Sequence, residues 1–368
     1  MGSGVDYRVQ SQVKLSKEQD CSARALLLIG VATARTLYKT GCRGLSPRRV
    51  ANYIAQTLKN KNIGDVFVRN FISLLDYTTE ELTEILNRAD HLEIAWKENK
   101  MPKSLNNKQI GLWFYGQGFR NRVAFEIGAK AMGAQISYVP GELGIHEPLV
   151  DIGHYLENWY SLLIIRAKKH DDLVYLSENT TIPVINARTD LSHPCEIMGD
   201  LQFIRKYRGS INDLNIVFVG EVTNLCMSWF EAAVRFPIKV TQVAPVNYLA
   251  NNELVDGLNE KAKGRIDTNI ELMQLLKGAD LIYTDCWPRT NDIETKEKIR
   301  RQFLPYQINI ECLSKLKENS MFLPCPPVTR GEEVTNEAME SGLCLNYRAK
   351  EYLLHSQNSI MEYICSES

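Results

Sequence analysis

The chain has 368 residues, 44% hydrophobic and 24% charged, with a formal net charge of −1. That length exceeds one ordinary core and suits two or three domains. The composition is that of a soluble globular protein, and the near-neutral balance gives no global field for nucleic acid or membrane. No apolar run is long enough to span a bilayer; the longest, Ala25–Ala34, is broken by Gly30 and flanked by Arg24 and Arg35. Nine Cys are scattered without a CxxC pair, which fits free thiols in a reducing compartment rather than a disulfide scaffold or zinc site. A cytoplasmic protein without metal or cofactor is the expectation.

Charge is unevenly spread. Residues 1–68 hold 11 Lys and Arg against 4 Asp and Glu, whereas residues 69–368 hold 32 against 40. Residues 1–20 are polar and read as disordered, and 22–41 read as a helix ended by Gly41. Ser46-Pro47 then reads as N-cap and first residue of another helix, with Val50, Ile54 and Leu58 on one face. No acidic residue occurs from Cys21 to Gly64. An Arg-rich, acid-poor segment suits an organellar transit peptide, but such peptides begin at the N-terminus and this one starts late. A basic helical or partly disordered extension over 1–68 fits better, with an organellar matrix as the alternative location.

From Arg69 the texture changes. Thr78 and Glu81 fit a capping box, and Leu82, Ile85, Leu86, Ala89 and Leu92 form a helical stripe. Short apolar strands then alternate with helices. The strands are expected at Ile110–Tyr115, Gln135–Val139, Leu162–Arg166, Pro183–Ile185, Ile216–Gly220, Lys239–Ala244, Leu281–Thr284 and Met321–Leu323. This rhythm predicts an α/β fold with parallel sheets flanked by helices. The polar, turn-rich stretch Lys206–Asn212 divides it into two similar-sized domains, 69–207 and 208–345, followed by a terminal segment, 346–368, with a helix over about Ala349–Ile364.

Ligands of such folds sit beyond the C-terminal ends of strands. The stretch after the first strand, within WFYGQGFRNR at 113–122, has the parts of an anion site. Gly116 and Gly118 free the backbone to turn, Asn121 is placed to cap the following helix, and Arg120 and Arg122 stand beside its first amides. Arg122 reads as structural. VFVGE at 217–221 lacks the GxGxxG of a dinucleotide site.

Taken in order, the strand-end residues resemble the aspartate/ornithine carbamoyltransferase family, nearer its ornithine branch, from about Arg69 to Ile364. The family's Ser-Thr-Arg-Thr-Arg phosphate loop is matched by Gly118-Phe119-Arg120-Asn121-Arg122, and its strand-end Arg by Arg166. Its His-Pro-x-Gln is matched by His193-Pro194-Cys195-Glu196, followed by Gly199-Asp200-Leu201. Asn224 matches the family's Asn, Asp285-Cys286-Trp287 its Asp-x-Trp, and Pro324-Cys325-Pro326-Pro327 its His-Cys-Leu-Pro.

The resemblance implies transfer of a carbamoyl group from carbamoyl phosphate to an amino acid or related amine, with phosphate released. It also implies that the terminal helix returns to the first domain. Gly118, Phe119, Arg120, Asn121, Arg166, His193 and Glu196 would then bind carbamoyl phosphate, with Arg120, His193 and Cys325 catalytic. Asn224, Asp285, Arg289, Thr290, Cys325 and Pro326 would bind the acceptor. The family forms trimers with active sites between subunits, so a homotrimer or a multiple of it is expected, with His146 on a loop that the family sends into a neighbour.

Several matches depart from the pattern. Gly118, Phe119 and Asn121 replace hydroxyl residues, and a hydrogen bond to a charged group is worth about 1.5–3 kcal/mol. A catalytically impaired member with a binding, regulatory or structural role is therefore the alternative. Glu196 stands where a Gln is usual and brings negative charge beside an anionic ligand unless it is protonated or paired. Arg289-Thr290-Asn291 stands where the ornithine branch has Ser-Met-Gly. Arg289 either reads a carboxylate on the acceptor or, redirected by Pro288, points to solvent. Asn224 is either a ligand or a helix cap, and Cys325 either meets the attacking amine or is a small buried residue.

Overall fold

The computed structural model describes residues 68–366 apart from Gln117 and Gly264. The helices expected over 22–41 and from Ser46 onward lie outside the described residues.

The first lobe opens with residues 68–73, which lie along the edge of a sheet. The Phe71 amide donates to Val184 O (2.8 Å), and the Asn186 amide donates to Phe71 O (2.8 Å). Helix α1 (Thr79–Lys97) has the expected capping box between Thr78 and Glu81, and it buries Leu82, Ile85, Leu86, Ala89 and Leu92. Strands β1 (Gln109–Phe114), β2 (Gln135–Tyr138), β3 (Leu162–Arg166) and β4 (Val184–Arg188) form a fully parallel sheet in the order β2-β1-β3-β4. Helices α2 (Phe119–Ala131), α3 (Leu149–Glu157), α4 (His170–Glu178) and α5 (Pro194–Arg208) connect or follow them.

The second lobe carries β5 (Asn215–Val219), β6 (Lys239–Val243), β7 (Ile266–Asn269), β8 (Leu281–Thr284) and β9 (Met321–Pro324), all parallel, in the order β7-β6-β5-β8-β9. Its helices are α6 (Asn224–Arg235), α7 (Asn252–Ala262), α8 (Leu272–Leu275), α9 (Ile293–Phe303), α10 (Ile310–Ser314), α11 (Asn336–Met339) and α12 (Asn346–Ala349). Helix α13 (Tyr352–Ser366) returns to the first lobe and packs on α1, α5 and α2. Gly128 makes that return possible, because a Cβ there would come within 1.7 Å of Asn358 Oδ1.

Most strand ends fall within one residue of the sequence reading, and four features differ by more. Strand β7 has no apolar run, since it is an edge strand of sequence Ile-Asp-Thr-Asn with only Ile266 buried. Helix α5 continues through Lys206 to Arg208 and stops at Gly209 (φ 86°), so the break between lobes is shorter than Lys206–Asn212. The terminal helix starts at Tyr352, after the separate turn α12. Strand β4 runs on to Arg188 instead of ending at Ile185. Its polar Asn186 is fully buried and donates to Ile72 O (2.9 Å), so the ladder tolerates it.

In each sheet the strand order reverses at one place, between β1 and β3 in the first lobe and between β5 and β8 in the second. Those switch points are where open α/β sheets leave a crevice. Arg120 and Arg166 follow or end the first pair of strands, and Asn224 and Asp285 follow the second.

Candidate active site

The loop after β1 turns as its glycines demand, with Gly116 at φ 66° and Gly118 at φ 37°. Gly118 itself is the N-cap of α2, and no side chain caps this helix. The expectation that Asn121 caps it is therefore corrected: the cap lies three residues earlier, at Gly118, and Asn121 faces inward. Asn121 is buried, accepts from Gln357 Nε2 (2.7 Å) and donates to Glu196 Oε2 (3.2 Å). The uncapped start leaves the first-turn amides of α2 open for an anion. Phe119 is exposed, and the Arg120 guanidinium lies over its ring at 4.9 Å. Arg122 instead lies over Tyr138, at 5.4 Å, in keeping with a structural role.

Arg166 ends β3 and lies directly on the loop. A Cβ on Gly118 would meet its Cδ at 2.9 Å and its Cζ and Nε at 3.0 Å. The glycine that replaces a hydroxyl residue thus makes room for the guanidinium. Burial, helped by the neighbouring Arg188 and Arg120 charges, pulls Arg166 down to about 10.

His193 precedes α5, its backbone amide donating to Ser228 Oγ (2.8 Å) of α6. Burial, with Arg188, Arg166 and Lys350 nearby, pushes its imidazole down to about 3, so it is neutral at physiological pH. Nε2 lies 3.4 Å from Asn121 Nδ2. If the amide is the donor there, the ring proton sits on Nδ1, which is buried and has no partner among the described residues.

The negative charge of Glu196 is paired. Lys350, between α12 and α13, donates to Glu196 Oε1 (2.6 Å) and to Asp200 Oδ1 (2.9 Å). Tyr283 OH, from β8 of the second lobe, donates to Asp200 Oδ2 (2.8 Å). Burial alone would raise the Glu196 carboxyl, but Lys350 and the His193 and Asn121 contacts hold it down to about 2. Asp200, desolvated beside Glu196, is raised despite Lys350, and the two carboxylates keep Lys350 charged against the cost of its own burial.

On the second lobe, Thr223 caps α6 and Asn224 is its first residue; the Asn224 amide reaches across the cleft to Thr189 O of the first lobe. Asp285 follows β8 and accepts from the Cys286 amide (2.8 Å). Burial raises its carboxyl against contacts with Thr223 and Cys286. Two further acids sit within its electrostatic reach, Glu221 after β5 and the buried Glu333, and burial pushes each up to about 7. Cys325 is buried beyond β9, and its backbone amide donates to Thr284 O (2.8 Å). Burial, with Glu196 and other acids near, pushes the thiol well up, so Cys325 offers a thiol and not a thiolate. Pro326, next in sequence, is half-buried, as is Thr290, whereas Arg289 is exposed.

Strand ends that carry guanidinium groups in one lobe face strand ends that carry carboxyl groups in the other. Known proteins match the chain over both lobes. A family model of the aspartate/ornithine carbamoyltransferase carbamoyl-P binding domain matches residues 69–206, and one of the family's Asp/Orn binding domain matches 212–364. The ornithine carbamoyltransferase of Methanosphaera stadtmanae is 33% identical over 308 residues, spanning 82% of this chain and all of the relative. The chain belongs to the aspartate/ornithine carbamoyltransferase family. The Carboxydothermus hydrogenoformans ornithine carbamoyltransferase is 32% identical, over 80% of this chain and 96% of its own. The solved ornithine carbamoyltransferase of Pyrococcus furiosus superposes with a TM-score of 0.77 at 28% identity, covering 81% of this chain and 97% of that one.

Within this family member, the structure brings together Gly118, Arg120, Asn121, Arg166, His193 and Glu196 from the first lobe, and Asn224, Asp285 and Cys325 from the second. Motif reading missed Lys350, Arg188, Glu221 and Glu333. Glu221 alone left a signal, since it directly follows a predicted strand. Lys350 pairs with a residue 154 positions away, which no local pattern reveals.

Proposed function

We propose that this chain transfers the carbamoyl group of carbamoyl phosphate to the amino group of an amino acid or related amine. The observation that carries the reading is the charge division across the cleft: Arg120 and Arg166 at the strand ends of one lobe, Asp285 with Glu221 and Glu333 at those of the other. Arg120, Arg166 and the open amides of α2 hold the phosphate. His193 donates from Nδ1 to the carbonyl oxygen, where negative charge develops. Glu196, fixed by Lys350 and Asn121, accepts from the carbamoyl amino group. Asn224 and Asp285 orient the acceptor's α-carboxylate and α-amino group, with Thr290, Pro326 and Cys325 beside it. The acceptor nitrogen bonds to the carbonyl carbon, the carbon–oxygen bond to phosphate breaks, and the amine's surplus proton leaves with solvent or phosphate.

The same reading extends to assembly and organisation. Phe119, Val123 and Ile127 are exposed at helical spacing on α2, with Tyr138 of β2 nearby, a stripe that suits the trimer interface of this family. The domains are 69–207 for carbamoyl phosphate and 208–345 for the acceptor, with 346–368 returning, in a cytoplasmic protein. No helix among the described residues is long and apolar enough to cross a membrane. Deleting residues 1–68 should leave a folded oligomer of unchanged mass per α/β body in light scattering; a monomer would make that extension part of the assembly.

The test of activity is phosphate release from carbamoyl phosphate with a panel of amines. Acceptor-dependent release is expected. Tight phosphate binding without release for any amine would replace transfer by a binding role.

A further inference from the structure

The end of β4 carries a cation that neither the family motifs nor the local pattern assigns. Arg188 is the last residue of that strand and pairs, across a one-residue register shift, with Arg166, the last of β3. Paired residues of adjacent strands lie about 4.8 Å apart, and Arg166 feels the Arg188 charge directly. Like charges so placed destabilise a sheet unless something neutralises them.

Nothing described does so. Among the described residues no hydrogen bond or ion pair reaches the side chains of Arg188 or Arg166, and Arg166 Nε is buried without a partner. Glu196, the carboxylate whose charge Arg166 feels, is held by Lys350 and Asn121, and Asp190 accepts from the His170 amide (2.8 Å). Asp285 across the cleft feels the Arg188 charge but lies beyond ion-pair distance. His193 is neutral and itself feels both guanidinium groups. Three guanidinium groups therefore stand together at or just after the ends of β1, β3 and β4, where several loop hydroxyls of the family pattern are absent.

We propose that Arg188 is a third guanidinium ligand of the phosphoryl group, forming with Arg120 and Arg166 a cradle that stands in for the missing hydroxyls. The proposal rests on the carbamoyl-phosphate reading of this pocket. A tetrahedral dianion offers several oxygens, enough for three forks, and offsets the repulsion between neighbouring cations. The pairing with Arg166 puts Arg188 beside the phosphoryl subsite rather than beside an acceptor carboxylate.

Calorimetric titration of inorganic phosphate and carbamoyl phosphate into the full chain, into Arg188→Gln and into Arg166→Ala tests this. Arg188→Gln keeps a polar side chain and removes a repulsive charge, so it should fold with an unchanged or higher melting temperature. Its phosphate affinity should fall about tenfold or more, and phosphate should raise its melting temperature less than it raises the native protein's. Arg188→Lys should recover part of the affinity. If Arg188→Gln binds phosphate as tightly as the native protein while Arg166→Ala does not, Arg188 is no phosphate ligand and the pocket reading stands. A weakened acceptor KM at unchanged phosphate affinity would likewise overturn the proposal, assigning Arg188 to the acceptor. Native protein that binds neither anion would remove both the cradle and the pocket reading.

Discussion

The two lobes are built alike and charged oppositely. Each is a parallel sheet with a crevice where strand order reverses, and each presents ionisable side chains there. In the first lobe the carboxylates are neutralised internally, Glu196 and Asp200 by Lys350, which leaves the arginines exposed to a ligand. In the second lobe Glu221 and Glu333 each feel the Asp285 charge, and burial raises all three carboxyls. One fold thus makes a seat for an anion and a seat for an amine, and the difference lies in which buried charges have partners.

The largest break in that comparison comes from removing the internal partner. Lys350→Met strands two buried carboxylates and should cost about 3–5 kcal/mol in urea unfolding. Adding Glu196→Gln should restore part of it; a single variant as stable as the native protein would mean that the pairing carries no weight. Arg166→Ala and Arg120→Ala come next. Each removes charge-assisted hydrogen bonds worth about 1.5–3 kcal/mol, so phosphate affinity should fall by about ten- to a hundredfold in calorimetry, more for the buried Arg166 than for Arg120. Unchanged affinity in both would remove the anion seat.

The acidic lobe yields a pH signature. Glu221 and Glu333 are raised from 4.5 to about 7 in the fold. Between those values the unfolded chain has released protons that the folded chain retains, so stability falls as pH rises from 4.5 and levels off above about 7. Glu221→Gln should flatten that fall when urea midpoints are compared at pH 5 and pH 8. An identical pH slope in native protein and variant would show that Glu221 is not held protonated. The smallest effect concerns Arg289, which is exposed. Arg289→Ser should shift acceptor preference modestly, away from acidic and toward basic amino acids, in competition assays. If ornithine is already the best native acceptor, or the preference does not move, Arg289 does not read the substrate.

Motifs at strand ends were legible because parallel sheets place such residues at one edge whatever the helices do. Arg120, Arg166, His193, Asn224, Asp285 and Cys325 stood in sequence where the fold needed them. Arg289 was legible as a position but not as a direction, since the loop after Pro288 leaves it exposed. Asn121 was legible as polar, yet its role as a buried partner of Glu196 and Gln357 depended on α13 arriving beside α2.

The sequence by itself determined the alternation of strands and helices, the capping box of α1, and the glycine-bearing turn before α2, because each is set by residues within one turn or one strand. It also determined the chemistry-bearing residues at most strand ends, Arg166 and Asp285 among them. Tertiary structure alone decided that β4 reaches Arg188, because Asn186 finds Ile72 as a partner only once residues 68–73 lie along the sheet. It alone decided that Glu196 is a paired carboxylate, because Lys350 comes from the far end of the chain. Charges buried in a low-dielectric interior are fixed by whatever packs against them, and that neighbour is a property of the fold, not of the local sequence.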